Sequence, residues 1–336
     1  MTGRVSGTMV QSVSVALHRT GMTAALARVA GQARRDAAFP ILSYHRVNDA
    51  RDPFFESLPT EVFEEQMRHV ARHYRVFSVE DLTDRLRRGG LPRNALAITF
   101  DDGYRDNLTH AAPILSRHGL PATVFLATGF IGAAEVPWYD GVAHAFKASR
   151  RAAITSPWGD VFELDTLEGR VSAREGALRR LKRMPDDERL RTLDALLTQL
   201  DVTDEHSSKN AMLTWDDVHA LTGLGFSIGA HTISHLILSR LTSEQAWREI
   251  LGSRTAIEAA CGGAPRAFAY PNGGAEDYTA ETVGMVRRAG FTCAVTTQFG
   301  LNTQVTSPWE LRRGGPWEHH LPTFALKLAW YRMTLS

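Results

Sequence analysis

Ala95-Leu96-Ala97-Ile98-Thr99-Phe100-Asp101-Asp102-Gly103 decides the fold. Six apolar or β-branched residues in an unbroken run, closed by two carboxylates and a glycine, read as a strand buried on both faces, the pattern of a parallel sheet. Further short runs on either side have the same character: Ile41 to His45, Arg75 to Phe77, Ala122 to Ala127, Phe226 to Ala230, Ala267 to Tyr270, Phe291 to Thr296 and, more weakly, Trp309 to Arg312. Helical patterns separate them. Phe63, Met67, Val70 and Tyr74 share one helical face, and Ser78 with Asp81, Thr214 with Asp217 and Thr242 with Gln245 have capping-box spacing. Strands alternating with helices predict an α/β fold whose eight units approximate a distorted (β/α) barrel that need not close.

The rhythm breaks between about residues 131 and 210, where charge and helix formers dominate (Ala173 to Met184, Asp187 to Leu200) around a turn at Ser156-Pro157-Trp158-Gly159-Asp160. This stretch is expected to be a helical insertion over one end of a barrel running from 39 to 315. Residues 1–38 are expected to be a basic helical extension and 316–336 an amphipathic C-terminal segment. Thirty-eight Lys and Arg against 37 Asp and Glu leave a formal charge of +1, so no global field draws the chain to nucleic acid or acidic polymers. The balance favours a substrate recognised in a pocket. Cys261 and Cys293 lie in apolar surroundings and read as core thiols in a reducing compartment.

Polar residues collect where the apolar runs stop: His45, then Asp101 and Asp102, His231, and Tyr270-Pro271-Asn272. In a (β/α) barrel the C-terminal strand ends converge on the face that carries the active site. His231 and His235 are four apart, a spacing that puts two imidazoles on one side of a helical turn, where a carboxylate would complete a two-His, one-carboxylate metal site. Taken alone, that pair also suits an exposed helix start, and Asp-Asp-Gly also suits a common turn. Adjacent carboxylates repel each other. A metal would resolve this, with one Asp as ligand and the other free to take a proton.

At these residues the chain resembles carbohydrate esterase family 4, the NodB-type polysaccharide deacetylases. Thr99-Phe100-Asp101-Asp102-Gly103 and His231-Thr232-Ile233-Ser234-His235 match the family's first two motifs in type, order and separation. The resemblance implies Asp101 as general base and Asp102, His231 and His235 as ligands of a divalent metal, zinc being the usual ion. It also implies an N-acetylated sugar or glycan as substrate. Two departures point to the subgroup that includes poly-N-acetylglucosamine deacetylases. Phe268-Ala269-Tyr270-Pro271-Asn272-Gly273 has Ala269 where the third motif often has Arg, so Arg313, with Arg312 as competitor, is expected beside Asp101, and the Asn272 N–H is expected to serve the oxyanion. The late Leu-x-His motif is absent after Phe291. Ser43-Tyr44-His45-Arg46-Val47 resembles a permuted replacement, which makes His45 the expected general acid; His319 and His320 compete, and a core histidine is the plain alternative.

The activity so implied is metal-dependent removal of an N-acetyl group from a sugar. Alternatives are a sugar-binding protein without turnover on the same fold and a non-haem iron oxygenase, which shares the two-His, one-carboxylate set but has no use for a second Asp. His18, Arg19, Arg28, Arg34 and Arg35 interrupt the apolar run from Val13 to Ala38, and no uncharged apolar window is long enough to span a bilayer. The expectation is a cytoplasmic protein. Thr23 to Arg35 and Phe324 to Met333 could rest on a membrane surface, although packing on the barrel explains each as well.

Overall fold

The opening run forms strand β4 (Ala95–Phe100), with all six residues buried. The computed structural model describes residues 38–202, 211–314 and 318–334. Around β4 lie β1 (Ala38–Phe39), β2 (Ile41–Tyr44), β3 (Arg75–Phe77) and β5 (Thr123–Leu126); further on come β8 (Ser227–Ala230), β9 (Ala267–Ala269) and β10 (Cys293–Val295). Seven of these build one parallel sheet in the order β10-β9-β8-β5-β4-β2, with β3 also paired to β4. β1 instead forms a small antiparallel pair with β11 (Asn302–Thr303).

This is an incomplete (β/α) barrel. The expected eighth strand at Trp309 to Arg312 is reduced to one parallel bridge, Val295 to Leu311. The segment still fills the gap between the sheet edges, because Leu311 N–H donates to Ala294 O at 2.8 Å and Gly314 N–H to Ile41 O at 3.0 Å. Helices α1 (Thr60–His73), α2 (Val79–Arg87), α3 (Ala112–Arg117), α7 (Trp215–Gly223), α8 (Ser243–Cys261) and α9 (Ala280–Arg288) flank the sheet. Three start as their sequences predict: Ser78 caps α2 through Asp81 N, and full capping boxes open α7 at Thr214 and α8 at Thr242. One core joins Leu96, Ile98 and Phe100 of β4 to Phe63, Met67 and Val70 of α1. Burying each such side chain contributes about 1.5–3 kcal/mol.

Between β5 and β8 the chain leaves the sheet. This stretch holds α4 (Trp138–Ala148), the hairpin β6 (Ala153–Thr155) and β7 (Val161–Glu163), α5 (Leu167–Leu181) and α6 (Asp186–Leu200). Its apolar residues, among them Phe146, Leu164, Leu181, Leu196 and Leu200, form a cluster of their own. The C-terminal helix α10 (Leu321–Thr334) packs on α1, with Phe324 and Leu328 buried. Among the described residues no helix is long and apolar enough to cross a membrane. The stretch Thr23 to Arg35 lies outside the described residues. Cys261 and Cys293 are both free thiols, Cys293 buried.

Candidate active site

Four strand ends and their loops converge as the barrel requires. Asp101 and Asp102 follow β4, His231 follows β8, Asn272 follows β9 and His45 follows β2. Asp102 Oδ1 lies 3.6 Å from His231 Nε2 and 3.3 Å from His235 Nε2. All three residues are buried, and one ligand atom from each falls within 4.8 Å of the others. The two histidines do not share a helical turn. Residues 231–235 form an irregular loop, with Thr232 (φ 65°) and His235 (φ 52°) in the left-handed region, and this winding turns both rings to Asp102.

The donor set fits a divalent cation. The buried Asp102 Oδ1 makes no hydrogen bond among the described residues, a vacancy that costs free energy unless a cation faces it. His231 Nδ1–H donates to Ala269 O at 2.7 Å, which leaves Nε2 as a lone-pair donor. Burial, the largest influence, pushes the His231 imidazole down to about 4 and His235 down to about 3, the latter helped by the charge of Lys182. Both are therefore neutral near pH 7, the form that ligates a metal.

Asp101 belongs to a different pair. Arg313, fully buried, donates from Nη1 and Nη2 to its two carboxylate oxygens at 2.7 and 2.5 Å. The same guanidinium reaches Thr99 Oγ1 at 3.2 Å and Thr296 O at 2.9 Å. Burial acts upward on the Asp101 carboxyl and is the largest single influence, but Arg313, His231 and His45 together outweigh it and hold the group well below the usual carboxylate range. The Arg312 side chain lies elsewhere, its Cδ, Nε and Nη1 against Gly300, and its backbone N–H donates to Asn302 Oδ1.

His45 is half-exposed, which removes the core-histidine alternative, and its Nε2 stands 3.9 Å from Asp101 Oδ2. His319 and His320 sit at the start of α10, where His320 Nδ1 bonds Thr323 Oγ1. Asn272 adopts φ 57°. Its carbonyl accepts from Thr297 Oγ1 at 2.6 Å, while its N–H makes no hydrogen bond among the described residues. Gly103 adopts φ +87°, a conformation strained for any residue with a side chain.

The sequence model of the polysaccharide deacetylase family matches residues 88–161 and 186–294. The chain belongs to the polysaccharide deacetylase family. The internal gap in the match, 162–185, lies inside the excursion between β5 and β8, and His45 and Arg313 lie outside the matched ranges. Among curated relatives of this chain, YxkH of Bacillus subtilis is 31% identical over 100 residues, 29% of this chain and 35% of that protein. The poly-β-1,6-N-acetyl-D-glucosamine N-deacetylase of Escherichia coli K12 is 36% identical over 88 residues, 25% of this chain and 13% of that one. The matches thus span about a third or less of either relative's length. Among solved structures, IcaB of Ammonifex degensii superposes with a TM-score of 0.56 at 18% identity, covering 86% of this chain and 97% of that one. At that identity the likeness is one of fold.

Several residues close to the trio escaped the sequence reading. Glu249 on α8 accepts from Ile233 N–H at 2.9 Å and Ser234 N–H at 2.8 Å, pinning the histidine loop. Tyr139 of α4 lies edge-on to His235, and Lys182, at the end of α5, bears a charge felt by Asp102, His235 and Asp277. Pro137-Trp138-Tyr139-Asp140 is an aromatic pair at the start of the insertion, and nothing in the sequence pattern brings it to His235.

Proposed function

We propose that the protein is a metal-dependent N-deacetylase acting on an N-acetylated sugar of a glycan or glycan precursor. The observation that carries this reading is the buried Asp102, His231 and His235 trio beside the Asp101–Arg313 pair. The three residues would hold a divalent ion, zinc in our reading, which supplies Lewis-acid polarisation of the acetyl carbonyl and acidifies the attacking water. Asp101 stays ionised at neutral pH, and Arg313 fixes its plane by bonding both oxygens, so a second lone pair on one of them takes the proton of that water. The unengaged Asn272 N–H donates to the oxyanion as the carbonyl becomes tetrahedral. His45, solvent-accessible and close to Asp101, delivers a proton to the departing amine. Acetate and a free amino sugar result.

A parallel sheet flanked by helices does not suit the oxygenase alternative, and Asp101 with its buried arginine has no role there. The experiment is acetate release from a panel of N-acetylglucosamine oligomers, with and without chelator, on the full chain and on Asp102→Ala. The reading requires turnover that disappears with chelator, returns with zinc and is missing in the variant. Glycan binding without any acetate release under these conditions would favour a sugar-binding protein instead.

A further inference from the structure

The excursion between β5 and β8 is fastened to both loops that carry the trio. On the Asp102 side, Leu213 N–H donates to Gly103 O, Arg105 N–H to Ala211 O and Gly132 N–H to Leu213 O, each at 2.9 Å. The two ends of the excursion therefore meet on the turn that presents Asp102. Its first helix, α4, then sends two consecutive side chains toward the trio. Asp140, buried, accepts from Tyr104 Oη–H at 2.9 Å, and Tyr104 is itself buried two residues past Asp102. The guanidinium of Arg46, held by Asp106 at 3.2 Å, lies 4.6 Å from the Tyr104 ring centre. On the histidine side, the Tyr139 ring meets the His235 imidazole edge-on, with centres 4.9 Å apart and planes at 67°.

That ring contact matters because the two histidines are held differently. His231 is oriented by its hydrogen bond to Ala269 O. His235 makes T-shaped contacts with two rings, His231 at 4.7 Å and Tyr139 at 4.9 Å. A rotation of the His235 ring would carry Nε2 away from Asp102 and break its packing with Tyr139. Outer contacts of this kind orient ligands and change metal affinity when removed.

We propose that Tyr139 and Asp140 are positioning residues of the metal site, so that ion binding and the ordering of α4 are coupled. The inference rests on reading the trio as that site. Tyr139 fixes the His235 ring, and Asp140, through Tyr104, fixes the Asp102 turn. The excursion is then part of the catalytic apparatus although it contributes no ligand. Coupling is reciprocal: whatever α4 adds to ion affinity, the ion returns as stability of α4.

Two measurements on the full chain test this, with zinc as the probe. Zinc affinity, from competition with a chromophoric chelator, is expected to fall about 10- to 100-fold in Tyr139→Ala, the range for lost outer contacts, and to stay near wild type in Tyr139→Phe, which keeps the ring edge. Hydrogen exchange of residues 138–148 is expected to slow on adding zinc to the wild type, and to slow less in Tyr139→Ala. Leu196→Ala loosens the insertion core away from the trio and serves as control. The coupling requires it to lose less zinc affinity than Tyr139→Ala at equal loss of thermal stability. Wild-type affinity in Tyr139→Ala, equal losses in both variants, or protection by zinc that stops short of α4 would overturn the proposal. Asp102→Ala separates the two ideas: if it binds zinc as tightly as wild type, the trio reading itself has failed and the coupling falls with it.

Discussion

Replacing Arg313 by Met removes a fully buried guanidinium while keeping most of its volume. Both Asp101 oxygens, Thr99 Oγ1 and Thr296 O lose their donor. Breaking a buried ion pair from one side costs about 3–5 kcal/mol, because the remaining charge stays desolvated and unpaired. The sign of the pH dependence follows from Asp101. In the wild type its carboxyl is depressed below the unfolded value of about 3.9, so the pair's contribution is complete above that pH and is lost as pH falls through the folded value. In Arg313→Met burial, already the largest influence, loses its chief opponent, and the carboxyl rises. The variant is then least stable, relative to wild type, at neutral pH, and the gap narrows as acid protonates Asp101, by about 1.4 kcal/mol for each pH unit the carboxyl has risen. Urea unfolding between about pH 4 and 8 measures the gap, and acetate release over the same range measures the acid limb of the rate, which should move to higher pH. A gap that stays constant across the range, together with an unmoved acid limb, would refute the claim that Arg313 holds the charge of Asp101.

Asp101→Asn should retain the ion and lose about 10²- to 10⁴-fold in rate, the range for removing a general base; normal turnover would move the base elsewhere. His45→Ala should also keep the ion, lower kcat and alter the high-pH limb of the rate profile, and a larger loss in His319→Ala or His320→Ala would transfer the acid role to the C-terminal pair. Metal-free protein should lose stability as pH falls from about 6.5, the unfolded histidine value, toward the folded values of about 4 for His231 and about 3 for His235, since only the unfolded chain takes up those protons. Thermal melting with chelator checks this; a melting temperature that is flat between pH 6.5 and 4 contradicts it.

The parts of this molecule that could be read from sequence share one property: the information is local. A strand buried on both faces writes itself as Ala95 to Phe100, and a helix start writes itself as Thr214 with Asp217 or Thr242 with Gln245. The trio was within reach because strand ends in a parallel sheet must converge, so Asp102 and His231 could be brought together without knowing any register. Arg313 lies 212 residues from Asp101, and no periodicity links them; only a gap in a familiar motif pointed to it. The His231–His235 spacing suggested a helix where the chain forms a loop, because two left-handed residues can bring the same pair of rings together. Tyr139, Asp140 and Lys182 were out of reach for a related reason. They come from a region with its own apolar cluster, and how such a region sits on the barrel is set by the surfaces in contact and not by any repeat in the chain.

Backbone strain in this molecule is concentrated around the site. Among the described residues, seven non-glycine positions have left-handed φ, and four of them are Asp102 (73°), Thr232 (65°), His235 (52°) and Asn272 (57°). Such conformations cost on the order of 1–3 kcal/mol each and persist where the surroundings over-determine them. The surroundings here can be named. Glu249 accepts two N–H groups beside Thr232 and His235; Thr128 N–H donates to Thr232 O at 3.1 Å and Gly129 N–H to Ile233 O at 2.8 Å; Thr297 Oγ1–H holds the Asn272 carbonyl; Leu213 N–H holds Gly103 O behind Asp102. Each bond has its partner on a different element, so the strain at the site is held by α8, by the end of β5, by the loop after β10 and by the return of the excursion. A loop relaxed to ordinary φ would aim Asp102 and His235 away from each other, and the contacts that prevent this are made by residues that touch no substrate.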